Sequence, residues 1–122
     1  MINVPAFTGV CQAEFEKLGV GGFIPEDEYP GAGSSDIGNV SYVCPTVYLE
    51  IALQSENDVV VHDQSAMETV NSQDAWDLMA IVIRAFSFAG ARIAADPVIA
   101  AGIRKQHAEI RDARLSPGKK TN

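Results

Sequence analysis

Positive charge is scarce in this sequence. Nine lysines and arginines stand against sixteen aspartates and glutamates, so the formal net charge is −7, and the isoelectric point is near 4.6. No cluster of basic residues occurs before the last few positions. A chain with this balance has little attraction for a phosphate backbone or an anionic membrane surface. We therefore expect neither nucleic acid nor a membrane as a partner.

Cysteine and targeting signals are also scarce. Cys11 and Cys44 lie far apart, each among apolar neighbours, which is typical of buried free thiols in a reducing compartment. A disulfide between them is the less favoured alternative. The N-terminus, MINVPAFTGVCQ, has no basic region before its apolar residues and no small-residue cleavage site. These features predict a cytoplasmic protein.

The sequence has no long uninterrupted hydrophobic run. Its most apolar stretch, residues 78–95, contains Arg84 and Arg92, whereas a membrane span needs about 20 mostly apolar residues without central charges. We predict a buried helix of a soluble domain here. With 122 residues, 47% of them hydrophobic, the chain has the size of one domain. We place it at residues 1–114, followed by a disordered tail at 115–122.

Hydrophobic periodicity predicts a mostly helical chain with one or two strands. Apolar residues at spacings of three or four predict a helix over 6–18, and strict alternation predicts a strand over 46–53. Val59 to Val61 form a second, much shorter candidate strand. A long helix is expected from an N-cap at Asn71 or Ser72 to about residue 94, and a further helix from Asp96-Pro97 to about residue 113.

The predicted strand at 46–53 needs a pairing partner, because an isolated strand leaves its backbone donors and acceptors unpaired. Two explanations stay open. The chain self-associates and pairs strands across an interface, or it is the end of a larger protein whose sheet is built by other residues.

Catalytic signatures are largely missing. The sequence has no GxSxG elbow, no phosphate loop and no GxGxxG motif. Its two histidines are His62 and His107, and a catalytic zinc needs about three protein ligands. His107 lies in a charged helix and is interpreted as a solvated residue. His62 follows an apolar VVV at a predicted strand end, where it is either a site residue or a structural histidine that hydrogen-bonds a nearby carbonyl.

Turn-forming residues are concentrated in the stretch GAGSSDIGNVSYV, residues 31–43. Ser34 or Ser35 is a plausible N-cap for a short helix there, so that free backbone N–H groups would face a carboxylate-like anion. A plain capped surface helix explains the same residues equally well.

Taken in order, GSSDIGNVSYVCPTVYLEIAL and VVVHDQSAMETVNSQDAWDLMAIVIRAFSFAG resemble the C-terminal part of the dizinc amidohydrolases. That family includes aminoacylases, glutamate carboxypeptidases and, most closely, aminobenzoyl-glutamate hydrolases and related dipeptidases. The resemblance covers about residues 6–112 and implies an α/β fold, with this chain as the C-terminal part of a metallopeptidase catalytic domain. It implies that His62 is the last metal ligand of a two-zinc site. It also implies that a substrate-binding loop contains six residues of this chain: Gly33, Ser34, Ser35, Asp36, Gly38 and Asn39.

The other metal ligands, the catalytic glutamate and the dimerising lid of that family have no counterpart in this chain. The resemblance therefore implies part of a metal-dependent amidohydrolase or peptidase that is inactive alone and contains no catalytic residue of its own. Its substrate would be a small carboxylate-bearing amide such as a dipeptide, an N-acyl amino acid or aminobenzoyl-glutamate. A homo-oligomer is expected. The alternative is a non-enzymatic remnant domain that acts by self-association or partner binding.

Overall fold

The described part of the chain consists of helices and irregular connections. The structure is a computed structural model that describes residues 1–24, 28, 35–53 and 64–116. Five helices lie in these ranges. They are α1 (Pro5–Lys17), α2 (Ile37–Val43), α3 (Ser65–Val70), α4 (Gln73–Ala95) and α5 (Pro97–Leu115).

The sequence signals for α4 and α5 are confirmed. Ser72 caps α4, its side chain accepting a hydrogen bond from the backbone N–H of Ala75. The Asp96 carboxylate accepts from the first two free N–H groups of α5, at 2.8 Å and 3.3 Å, with Pro97 in the first turn. Such caps satisfy backbone donors that a helix leaves without partners, so they set where each helix begins.

The core is small and lies where the N-terminus, α1, α4 and α5 meet. Helix α1 packs against α4 and α5, and α4 also contacts α5. Seven apolar residues are buried in the described part, namely Ile2, Val4, Cys11, Phe15, Ala85, Ala89 and Ile103. On α1, Cys11 and Phe15 belong to the apolar stripe that predicted this helix, which the structure begins and ends one residue earlier than expected.

The prediction of an α/β fold is wrong for the described residues. Residues 46–53, the predicted strand, adopt no regular secondary structure, and the backbone hydrogen bond that ties this segment to the core runs from the Val4 N–H to the Thr46 carbonyl, at 3.4 Å. Alternating residues produce a strand only beside a second strand, and the described ranges provide none. The candidate strand at Val59 to Val61 lies outside the described residues.

The burial predicted for residues 78–95 is also wrong. Helix α4 forms as expected, but only Ala85 and Ala89 on it are buried. Apolar composition predicted the helix correctly, whereas burial also depends on what packs against it. In the described part of the chain, neighbouring elements cover one face of α4 and leave the other exposed.

Candidate functional site

The residues of the predicted substrate loop fall partly within the described ranges. Gly33, Ser34 and His62 lie outside them. Ser35 and Asp36 precede α2, whose first turn contains Gly38 and Asn39, and Asn39 is exposed. The structure therefore places four of the six predicted loop residues together at the start of a short helix.

The backbone N–H groups of this turn have partners within the turn itself. The Ile37 N–H donates to the Ser35 Oγ at 3.3 Å, the Gly38 N–H to the Ser35 carbonyl at 3.2 Å, and the Asn39 N–H to the Asp36 carbonyl at 3.0 Å. The predicted row of free donors for an anion is thus not found here. Asp36 occupies the N-cap position without a side-chain cap bond, and its carboxylate would repel an anion.

The interpretation of His107 as a solvated residue is wrong. It lies on α5 and is 4% exposed, with its Nε2 2.7 Å from the Ser41 carbonyl oxygen in α2. Ser41 is fully buried. Its Oγ accepts from the Ile2 N–H at 2.8 Å and donates to the Gly38 carbonyl at 2.6 Å. This buried group of hydrogen bonds joins the N-terminus, α2 and α5, and so fixes the position of the turn at Ser35.

Two further polar contacts hold the N-terminal segment against α5. The Ala6 N–H donates to the Gln106 Oε1 at 2.6 Å, and the Arg114 guanidinium donates to the Met1 carbonyl at 2.7 Å. Because Ile2 and Val4 are fully buried beside Ile103, these contacts satisfy backbone groups of an extended segment that belongs to the core.

Ionisable side chains at the interface of α1 and α4 have a structural role. The Glu14 carboxylate, almost fully buried, bonds to the Lys17 ammonium at 2.7 Å and to the Arg92 guanidinium at 3.3 Å. The hydrogen bond from Lys17, opposed by desolvation and assisted by Arg92, lowers the Glu14 pKa. Burial raises the pKa of the Cys11 thiol to about 11, so this thiol stays protonated and unreactive at neutral pH.

The two cysteines differ in their surroundings. Both are free, and Cys11 is buried as predicted. Cys44, which was also expected to be buried, is exposed just after the end of α2. The adjacent Val43, the last residue of α2, is itself 82% exposed, so apolar neighbours in sequence do not imply burial here.

The described residues do not fit a two-zinc centre. Among them, no group of three histidine, cysteine, aspartate or glutamate side chains is arranged to hold a metal ion. His107, the histidine that the structure describes, is turned toward a backbone carbonyl. The assignment of His62 as a metal ligand lies outside the described residues and stays a prediction.

A shallow apolar groove of about 260 Å³ lies between α1, the segment after α2, α4 and α5. Its walls are formed by Phe7, Pro45, Ile93, Ala100 and Ile103, with Arg104 as the single charged residue. The groove has no polar group of the predicted loop in its lining and therefore does not extend that loop into a substrate pocket.

Helix α4 carries an exposed apolar surface. Trp76, Met79, Ile83 and Phe86 lie along one face of α4, and their exposed fractions range from 40% to 60%. We call these four residues the α4 stripe. Phe86 lies at its edge, where its ring meets Phe15 edge-on with centroids 5.6 Å apart. Large contiguous apolar surface of this kind marks interaction sites in soluble proteins.

The sequence predicted uncovered apolar faces on the long helix without singling out the residues of the α4 stripe, and it missed the buried Ser41–His107 contact. The signal for the stripe was present, since apolar residues on α4 recur on two faces rather than one, more than a small domain can cover. No signal in the sequence distinguished a buried histidine in a charged helix from an exposed one.

Comparisons with known proteins identify no relative. No protein-family model, no curated protein and no solved structure matches this chain. Within the described residues, α4 alone is long and apolar enough to cross a membrane, a criterion of length and composition that is weak evidence for a single helix.

Proposed function

We propose that this chain is one part of a metal-dependent amidohydrolase and is inactive by itself. The observation that carries the proposal is the pair of motifs in order, GSSDIGNVSYV and then His62, followed by the long apolar helix. The substrate class would be a small amide that bears a carboxylate: a dipeptide, an N-acyl amino acid or aminobenzoyl-glutamate. The zinc ions would be held mainly by residues outside this chain.

Two features of the structure support a part rather than a complete enzyme. The described residues contain no metal-binding group, and a catalytic zinc takes three protein ligands and an open position. The buried apolar core is small while the α4 stripe is exposed, as on a domain that packs against further polypeptide or against a second copy. A cytoplasmic location belongs to the same proposal, in keeping with the free thiols of Cys11 and Cys44.

A zinc titration of the purified chain tests the role of His62. In competition with a chromophoric chelator, the wild-type chain should bind zinc weakly, and His62→Ala should lose that binding. His107→Gln is the matched control, because it removes the other imidazole while its amide can still donate to the Ser41 carbonyl. Equal zinc binding by wild type and His62→Ala would show that His62 is not a ligand.

A hydrolysis assay tests whether the chain acts alone. We expect no zinc-dependent cleavage of dipeptides or aminobenzoyl-glutamate by the isolated protein, because one histidine cannot hold a two-metal centre. Chelator-sensitive turnover by the purified chain would contradict the proposal.

The exposed α4 stripe favours a second candidate, a non-enzymatic domain that acts by self-association or partner binding. Detection and precipitation from the source cells with an antibody against α5 distinguish the two candidates by the size of the chain and by its bound partners. The enzyme proposal predicts a chain larger than 13.0 kDa, or a complex with a protein that carries an HxD metal motif and a Glu-Glu pair. A 13.0 kDa chain without such a partner would favour the second candidate.

A further inference from the structure

The residues of the α4 stripe follow the spacing of a helix-pairing surface. Positions 76, 79, 83 and 86 are separated by three, four and three residues, which is the a and d pattern of paired helices. Gly90 and Ala94 continue the same face of α4 toward its C-terminus, and both are exposed. The face therefore extends over most of the helix.

Side-chain size divides this face into two halves. The N-terminal half carries the four bulky residues of the α4 stripe, and the C-terminal half carries Gly90 and Ala94. A Cβ atom added at Gly90 would meet nothing within 4 Å, so no contact among the described residues requires a glycine there. The same holds for Gly9 and Gly102. Gly90 is distinguished by its place in line with the stripe, where a closely packed neighbour would need a small residue.

We propose that the α4 stripe is the contact surface between two copies of this chain, which pair with their α4 helices antiparallel. In that arrangement, with the two-fold axis at Ile83, Trp76 of each copy lies opposite Gly90 of the other, and Met79 lies opposite Ser87. A parallel arrangement would place bulky against bulky and leave the small halves without contact. The stripe is thus complementary to itself in one orientation, as a two-fold interface requires.

Charge supports the antiparallel orientation. Asp77 and Arg84 lie two turns apart on the same edge of the stripe, and Arg84 forms no ion pair with any described residue. With the two-fold axis at Ile83, antiparallel pairing puts Asp77 of one copy and Arg84 of the other on the same edge of the pair, five positions or roughly 7.5 Å apart along the axes, whereas parallel pairing puts them on opposite edges. The helix dipoles also oppose each other favourably when the helices run antiparallel.

The exposed area suffices for a weak dimer. From their exposed fractions, the four stripe residues leave about 400 Å² uncovered on each copy, taking roughly 200 Å² for a full large side chain. Two copies would thus bury about 800 Å² from these residues, which is below the about 1,200 Å² at which stable specific interfaces begin and in the range of weak, transient pairs. We expect a dissociation constant on the order of micromolar or weaker. The pairing is independent of the reaction proposed above.

Disulfide cross-linking tests the orientation. In a Cys44→Ser background, Ala80→Cys protein is mixed with Ser87→Cys protein and oxidised mildly. The two positions lie on one edge of the stripe at about equal distances from its centre at Ile83, so antiparallel pairing should link the two variants to each other. Gly90→Cys alone should not link, because two such residues would lie 14 positions apart along the pair, about 21 Å. Efficient self-linking of Gly90→Cys would overturn the antiparallel orientation.

Substitution tests the surface itself. Ile83→Asp places a charge at the centre of the stripe and should weaken self-association at least about 30-fold, the effect of losing an interface hot spot. Val98→Asp, at an even more exposed apolar position on α5, should leave it unchanged. Trp76 is the sole tryptophan. Its fluorescence should shift to the blue with rising concentration in the wild type and in Val98→Asp, and should not shift in Ile83→Asp. Equal association of Ile83→Asp and wild type, or none in either, would overturn the proposal, and circular dichroism verifies that both variants fold.

Discussion

Replacing Ser41 by alanine removes the hydroxyl that holds the N-terminus on α2. The Ser41 Oγ accepts the Ile2 N–H at 2.8 Å, and both residues are fully buried. Alanine leaves that N–H without a partner in a place that water does not reach. An unsatisfied buried donor costs about 1–3 kcal/mol, and the hydrogen bond to the Gly38 carbonyl at 2.6 Å is lost as well. We expect the free energy of unfolding to fall by about 2 kcal/mol.

Thermal and urea unfolding followed by circular dichroism measure this loss. For a domain of this size, about 2 kcal/mol lowers Tm by roughly 5–10 °C. Ser87→Ala is the matched control, since Ser87 is an exposed serine within α4 and its replacement should change stability by less than about 0.5 kcal/mol. Amide hydrogen exchange adds a local readout, because the Ile2 amide should be protected in wild type and exchange faster in Ser41→Ala. Equal stability of the two serine variants, or rapid exchange of Ile2 in wild type, would refute the reasoning.

Three further predictions concern the α1–α4 interface, the thiols and the cap of α5. The folded-state pKa of Glu14 is lowered, so its stabilising effect is present above the unfolded pKa of about 4.3 and is lost as the pH falls through the folded pKa. Glu14→Gln should therefore make the free energy of unfolding less dependent on pH in this range. An unchanged pH dependence would count against the ion pairs. A thiol reagent at pH 8 should modify Cys44 rapidly and Cys11 only after unfolding, because Cys11 is buried with a pKa of about 11. Two fast-reacting thiols in the native protein would contradict this burial. Asp96→Ala should lower the free energy of unfolding by about 1 kcal/mol, because the two N-cap hydrogen bonds are lost. Asp112→Ala, late in the same helix, should lower it less. Urea unfolding compares the two variants, and equal losses would argue against the cap.

Local signals predicted the helices well, because their causes are local. Ser72, Asp96 and Pro97 satisfy or replace backbone donors within a few residues of themselves, so position in sequence was enough to place the starts of α4 and α5. The apolar periodicity of residues 6–18 predicted α1 for the same reason.

Features that depend on distant residues were not predictable in this way. The alternation in residues 46–53 specifies a strand only with a neighbouring strand, and the burial of His107 depends on Ser41, which lies 66 positions away in sequence. In the candidate site, the sequence correctly placed a short helix after Ser35. It could not show that the N–H groups of that turn are already bonded within the turn.

Sedimentation equilibrium of the wild-type chain tests the central claim most directly, namely that α4 presents a surface made to be covered by a second copy. The measurement should run from about 1 to about 300 µM, a range that brackets a micromolar dissociation constant, at about 0.15 M salt to screen the net charge of −7 on each copy. The weight-average mass should rise with concentration from 13.0 kDa toward twice that value. A constant mass of 13.0 kDa over the whole range would contradict it.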